Sequence, residues 1–270
     1  MLGRQLQKVF QSSSLTCWSK ADLDITDRQS VQERIQELRP NVIINAAAYT
    51  AVDDCESHQE LARRINGAAP GYLALAAKSI GATLVHYSTD YIFSGEQAAG
   101  YREADTAYAP VNAYGLSKLL GEQAIQRQVD DHWDRYYIIR TAWLYGPHGK
   151  NFVDTMLQLS QTRSTLQVVN DQHGSPTYTV DLARTTKQLL VGTLPYGVYH
   201  ITNSGVCTWY DLAVEIFRLA AVSVNLRPCT SSEFSRPARR PHYSILLNTK
   251  LPALRPWQEA LADYLKRTEK

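Results

Sequence analysis

Asn41-Val42-Ile43-Ile44-Asn45-Ala46-Ala47-Ala48 is the stretch that decides the fold. It is a short, nearly continuous apolar run opening just after Pro40, and such a run reads as a parallel strand buried on both faces. Working backwards, residues 28–38 have helical character and stop ahead of Pro40, which pushes its predecessor out of the α region. Further back, Leu2, Leu6, Val9 and Phe10 recur at helical spacing, giving a helix over 2–11. Residues 15–18 read as a short strand and lead into the acidic turn of residues 22–27. Working forwards, 58–79 is helix-like, 83–89 strand-like, 112–127 helix-like and 136–144 strand-like. Strands alternating with helices at this spacing predict an α/β protein with a Rossmann-type, doubly wound parallel sheet.

Beyond residue 146 the rhythm loosens. Gly146-Pro147, Gly174-Ser175-Pro176 and Ser235-Arg236-Pro237 interrupt it. Thr208 is expected to cap a helix over 209–220 that carries Leu212, Ile216 and Leu219 on one face. The expected division is a dinucleotide-binding part, 1–146, and a smaller substrate-facing lobe, 147–270, partly interleaved with it.

Composition narrows the classes. The 270 residues carry 28 basic and 26 acidic side chains, a net charge of +2, so no electrostatic footprint for nucleic acid is present. Local groups such as Arg236, Arg239 and Arg240 can still serve a small phosphorylated ligand. Four scattered cysteines with no CxxC pair argue against a zinc site or disulfide framework and for a reducing, cytoplasmic setting. No apolar stretch of about 18 residues suggests a membrane span.

Tyr114 and Lys118 form a Tyr-x-x-x-Lys pair, which a helix places on one face. A lysine ammonium there stabilises tyrosinate and lowers the phenol from its ordinary pKa of about 10. Such a phenol can protonate a carbonyl oxygen as hydride reaches the carbon. Thr89, in Ser88-Thr89-Asp90-Tyr91, closes an apolar strand, and ligands of doubly wound sheets bind outside the carboxyl ends of strands. Its hydroxyl is suited to polarising the same carbonyl.

Residues 43–53, 86–93 and 112–118 resemble the corresponding segments of the dTDP-4-dehydrorhamnose reductase family, extended short-chain dehydrogenases acting on nucleotide sugars. So do 140–146, 170–177 and the late Arg236-Pro237-Ala238-Arg239-Arg240-Pro241. The resemblance implies Tyr114 as proton donor, Lys118 as the group that tunes it and holds the nicotinamide ribose, and Thr89 on the C4 ketone. It implies Asp90 and Trp143 as contacts to the sugar nucleotide, Trp143 as a flat apolar wall. It places Leu2, Gly3, Ala48, Tyr49, Thr50 and Tyr87 along the dinucleotide, with Asp24 and Ile25 flanking the adenine. The implied reaction is NAD(P)H-dependent reduction of dTDP-4-dehydro-L-rhamnose to dTDP-L-rhamnose, for surface polysaccharide, in the bacterial cytoplasm. Some family members are metal-bridged dimers. No carboxylate cluster here compels magnesium, no metal ligand is assigned, and both the metal and a homodimer stay open.

A Rossmann unit opens with a strand and a Gly-rich turn that lets backbone approach the pyrophosphate. Gly3 aligns with the last glycine of the family's motif, and the strand and earlier glycines are missing from this sequence. Met1 is therefore expected to be internal, with translation starting about ten codons upstream, and weak cofactor binding and poor stability follow. Ser19-Lys20 stands where reductases preferring NADH place an acid, so NADPH is expected, with NADH possible. Two other readings remain. One is a different nucleotide-sugar reductase or epimerase. The other is a non-catalytic, NADP-binding protein, since the fold also resembles that of a regulatory subunit of methionine adenosyltransferase.

Overall fold

The structure, a computed structural model, describes residues 1–192 and 194–268. Helix α1 (Leu2–Val9) buries Leu6, and α2 (Arg28–Leu38) begins where the Asp27 carboxylate accepts the Gln29 and Ser30 N–H groups. Arg39, left-handed at φ 47, ends α2 ahead of strand β1 (Val42–Asn45). Short helical turns and a π-helical turn, Arg63–Ala68, lead into α3 (Ala69–Ile80), which Gly81 terminates at φ 69. Strand β2 (Thr83–Thr89), helix α4 (Ala113–Gln126) and strand β3 (Tyr136–Thr141) follow. Apart from four two-residue strands, the elements that follow are α5 (Phe152–Ser160), β4 (Thr165–Val169), α6 (Thr179–Val191), β5 (Gly197–His200), α7 (Trp209–Leu219), β6 (Asn225–Cys229) and α8 (Trp257–Thr268).

Strands β1, β2, β3 and β5 pair in that order, all parallel, so helices must cross between them. Alternation along β2 and β3 sorts the packing. Leu84 and Ile138 face α2, α3 and α4, while Val85, Tyr87, Tyr137 and Ile139 face α1 and α6. A third apolar cluster joins α5, β4, α7 and α8 around Met156, Leu166, Ile216 and Leu261. Strand β5, although beyond residue 146, belongs to the main sheet. Among the described residues no helix is long and apolar enough to cross a membrane.

Three expectations are corrected. Residues 15–18 form no strand, because among the described residues no strand runs beside them to complete their hydrogen bonds, and Leu15 is exposed. Strand β1 is not buried on both faces: it stands at the sheet edge, and Val42 is 38% exposed. The strand expected over 136–144 stops at Thr141, where the chain leaves the sheet and Trp143 adopts the left-handed φ of 48.

Candidate active site

Strand β2 delivers Thr89 to the carboxyl edge of the sheet, where it caps the tight turn Asp90–Ile92. Its Oγ1 accepts the Tyr91 N–H at 3.2 Å, and its hydroxyl donates to Asp90 Oδ1 at 2.8 Å. Asn112 opens α4 by accepting the Gly115 N–H at 2.7 Å, and its amide donates to the Arg239 carbonyl at 2.7 Å. The late arginine-rich segment is thereby tied to the helix that carries Tyr114. Tyr114 lies on the first turn of α4, edge-on to Tyr91 with ring centres 5.9 Å apart. Gly115 permits this approach, because a Cβ there would collide with the Tyr91 carbonyl.

One turn further, Lys118 is fully buried. Its Nζ donates to the Tyr87 carbonyl at 2.6 Å and lies 3.2 Å from His86 Nε2. Burial pulls the Lys118 ammonium down to about 8, against the attraction of Glu122. Burial pushes the Asp90 carboxyl up to about 6 and holds His86 far below the usual imidazole range. The phenol of Tyr114 is raised, not lowered as the Tyr-x-x-x-Lys spacing predicts. Burial comes first and the Asp90 charge second, while a hydrogen bond with Thr89 opposes them. Lys118 is turned towards Tyr87 and His86 instead.

The other expected site residues fall into five places. Leu2 and Gly3 form the first turn of α1, and a Cβ on Gly3 would lie 4.0 Å from that of Ala46 at the end of β1. Ala48 and Thr50 are exposed on the loop after β1, and Tyr49 is held by Asn66, which accepts its N–H at 2.8 Å and donates to its carbonyl at 2.9 Å. Tyr87 offers this site only its carbonyl, since its hydroxyl pairs with Thr186 at 2.8 Å on the opposite face of the sheet. Asp24 accepts from the N–H and hydroxyl of Thr26 at 2.9 and 2.8 Å, which hold its carboxyl below the usual range. Ile25 packs on the α2–α3 cluster. Trp143 stacks on Trp209 with centres 3.7 Å apart and planes 9° from parallel, and it lies so close to Gly174 that no larger residue fits there.

Sequence reasoning missed Asn45, Asn66 and His86. Asn66, on the π-helical turn, also donates to Ser117 Oγ at 3.0 Å and so locks the loop after β1 to α4. π-Helical turns recur at functional sites. Polar residues inside apolar runs, as Asn45 and His86 are, were the available signal. At the mouth, Asp90 Oδ2, Ser88 Oγ and Thr141 Oγ1 are buried without a hydrogen-bond partner. Buried polar atoms left open at strand ends point to a ligand. The exposed, small Ala46–Ala48 floor beside the α1 N-terminus suits a dinucleotide, whose phosphates favour such a helix end. Among the described residues, no group of three or more His, Cys, Asp and Glu side chains gathers to hold a metal.

A doubly wound parallel sheet whose β2 ends in Thr89 and whose next helix carries Tyr114 and Lys118 has the build of a short-chain reductase. The chain belongs to the RmlD substrate binding domain family, whose model matches residues 1–270. It is 44% identical over 275 residues to the dTDP-4-dehydrorhamnose reductase of Streptomyces griseus, covering 97% of this chain and 89% of that one. The crystal structure of a dTDP-4-dehydrorhamnose reductase from Clostridium acetobutylicum superposes with a TM-score of 0.94 at 45% identity, covering 100% of this chain and 96% of the other. The enzyme of that name from Bacillus anthracis, solved with NADP, gives 0.93 at 40% identity, with 98% and 95% covered.

Proposed function

We propose that this chain reduces the 4-keto group of dTDP-4-dehydro-L-rhamnose to give dTDP-L-rhamnose for surface polysaccharide, in the cytoplasm, with NADPH as the reductant. The observation that carries the reading is the convergence of Thr89, Asp90, Tyr114 and Lys118 at one carboxyl edge of the sheet, beside buried polar atoms that lack partners. When bound, the nicotinamide supplies hydride to the sugar carbon. Tyr114 gives its hydroxyl proton to the carbonyl oxygen; its raised pKa keeps that proton in place until the oxygen becomes basic. The Thr89 hydroxyl turns from Asp90 to the same oxygen and stabilises the developing alkoxide. Lys118 anchors the ribose and stabilises the tyrosinate, which then regains a proton from solvent. Asp90 and Trp143 contact the sugar nucleotide, and Leu2, Gly3, Ala48, Tyr49 and Thr50 line the dinucleotide. Asp24 and Ile25 flank the adenine, and the Tyr87 backbone helps to place Lys118.

The two-part division at residue 146 belongs to the same reading, residues 147–270 forming the smaller substrate-facing lobe and Trp143, just before the division, the flat apolar wall. The test is NADPH oxidation on adding dTDP-4-dehydrorhamnose, with Tyr114→Phe alongside. The substitution is expected to cut kcat by about 10²–10⁴-fold while leaving NADPH binding measurable. Turnover by the variant at the wild-type rate, or none by the parent chain, defeats the reading. Replacing Lys20 with Glu should shift preference from NADPH towards NADH if the ribose phosphate lies at Ser19-Lys20.

A further inference from the structure

Behind Lys118 stands a line of polar side chains that the proposed reaction leaves without a task. Asn45, His86 and Lys118 are 5%, 1% and 2% exposed, so their hydrogen bonds must close among protein atoms. Asn45 and His86 are register partners on β1 and β2, and Lys118 reaches them from α4.

The donor and acceptor count along this line is over-determined. Asn45 Oδ1 accepts the Ala47 N–H at 3.1 Å, which fixes the amide and turns its Nδ2 towards His86 Nδ1, also at 3.1 Å. An amide nitrogen only donates, so Nδ1 carries a lone pair and the single proton of a neutral imidazole sits on Nε2. That Nε2 faces Lys118 Nζ at 3.2 Å, while Nζ already donates to the Tyr87 carbonyl at 2.6 Å. An ammonium has no lone pair, so N–H would be set against N–H. An amine removes the conflict: its lone pair accepts the Nε2 proton, and one of its hydrogens still reaches Tyr87.

We propose that Asn45 and His86 favour the uncharged amine of Lys118 in the cofactor-free protein, and that charging Lys118 requires His86 to exchange tautomer. This rests on the reading that Lys118 serves the reaction; Asn45 and His86 are positioning residues that act through it. The proton balance is simple. Lys118 takes a proton from solvent and donates to a bare Nε2, the imidazole proton passes to Nδ1, and the Asn45 amide turns its oxygen to accept it. Ala47 N–H loses that acceptor, and His86 stays neutral throughout.

The other ionisable groups nearby do not impose the opposite state. Glu122, on the next turn of α4, favours a charged Lys118, but its carboxylate is committed to Arg140 at 2.7 Å. Asp90 and Tyr114 stand towards the mouth, and Ser117 and Asn66 are neutral. Burial favours the amine as well.

The test uses the whole chain, labelled with ¹⁵N-histidine and ¹³C-lysine, and follows both by NMR across pH without cofactor. The His86 proton should sit on Nε2 above the Lys118 ionisation and move to Nδ1 in step with it. A proton on Nδ1 at every pH, or a tautomer indifferent to Lys118, overturns the proposal. Asn45→Ser removes the amide that fixes Nδ1 as an acceptor, adds no charge and frees the tautomer. It should raise the proton affinity of Lys118 about tenfold, one pH unit, and displace the pH profile of kcat/KM by the same amount. A purely structural role would lower activity at all pH values without moving the ionisation, and that result also counts against the proposal. Because the NMR measurement needs no turnover, it decides this point even if the sugar substrate is wrong.

Discussion

Asp90 carries a cost that its position imposes. It is 3% exposed, its Oδ2 has no partner, and burial pushes its carboxyl up to about 6 from an ordinary value of 3.8. A carboxyl whose pKa rises on folding binds its proton more tightly in the native state. Stability therefore falls as pH climbs from about 4 to about 6, and levels off above that. Asp90→Asn, which keeps an oxygen for the Thr89 hydroxyl, should match the wild type at about pH 4 and exceed it by about 2 kcal/mol at about pH 7. Urea unfolding at the two pH values checks this, and an equal gap at both would show that ionisation is not the cause. At this scale the sequence was partly legible. Thr89, Tyr114 and Lys118 announce themselves by strand end and helical spacing. The raised phenol and the Asn45–His86 line do not, because both depend on which atoms stand opposite once β1 and β2 are in register.

Periodicity located α1, α2, α4 and α7, each of which buries one face, and side chains of Asp27, Asn112 and Thr208 cap the last three; it did not reveal α5, α6 or α8. Thr208 caps α7 as its sequence suggests, and Asp211 returns the bond to complete a capping box. Strands were harder to read. Residues 15–18 have the composition of one but find no partner, and pairing is a property of the neighbour as much as of the segment. What spacing could not reveal is how closely α4 approaches the loop after β2. Gly115→Ala should force α4 away from the Tyr91 carbonyl and carry Tyr114 off its position beside Thr89. The expected outcome is a loss of roughly 1–3 kcal/mol in stability and a fall in kcat larger than that in NADPH affinity. Denaturation and steady-state rates on one preparation separate the two. Full activity in the variant would mean that α4 can shift without displacing Tyr114.

For the molecule as a whole, the alternation of strands and helices was enough to expect a doubly wound sheet, but not the buried network that ties it to the C-terminal segment. Arg140 on β3 and Glu122 on α4 pair at 2.7 Å with side chains 0% and 1% exposed. Arg140 also meets the Tyr108 hydroxyl at 2.8 Å and His200 Nε2 at 3.4 Å. The His200 ring approaches the Leu247 carbonyl at 3.1 Å, and Glu103 accepts the Thr249 N–H at 3.0 Å. Glu122→Gln strands a guanidinium away from water and should cost about 3–5 kcal/mol, seen as a lower urea midpoint. A change below about 1 kcal/mol would show that water or another group reaches Arg140. The loop after β3 also meets α7 through the stacked indoles of Trp143 and Trp209, the latter being the first residue of α7. One face of Trp143 is thus already satisfied before any nucleotide sugar arrives. A ligand seeking that face trades one aromatic partner for another, so its affinity measures only the difference between two stackings. The displaced Trp209 would carry the start of α7 with it, turning ligand binding at Trp143 into a shift of that helix.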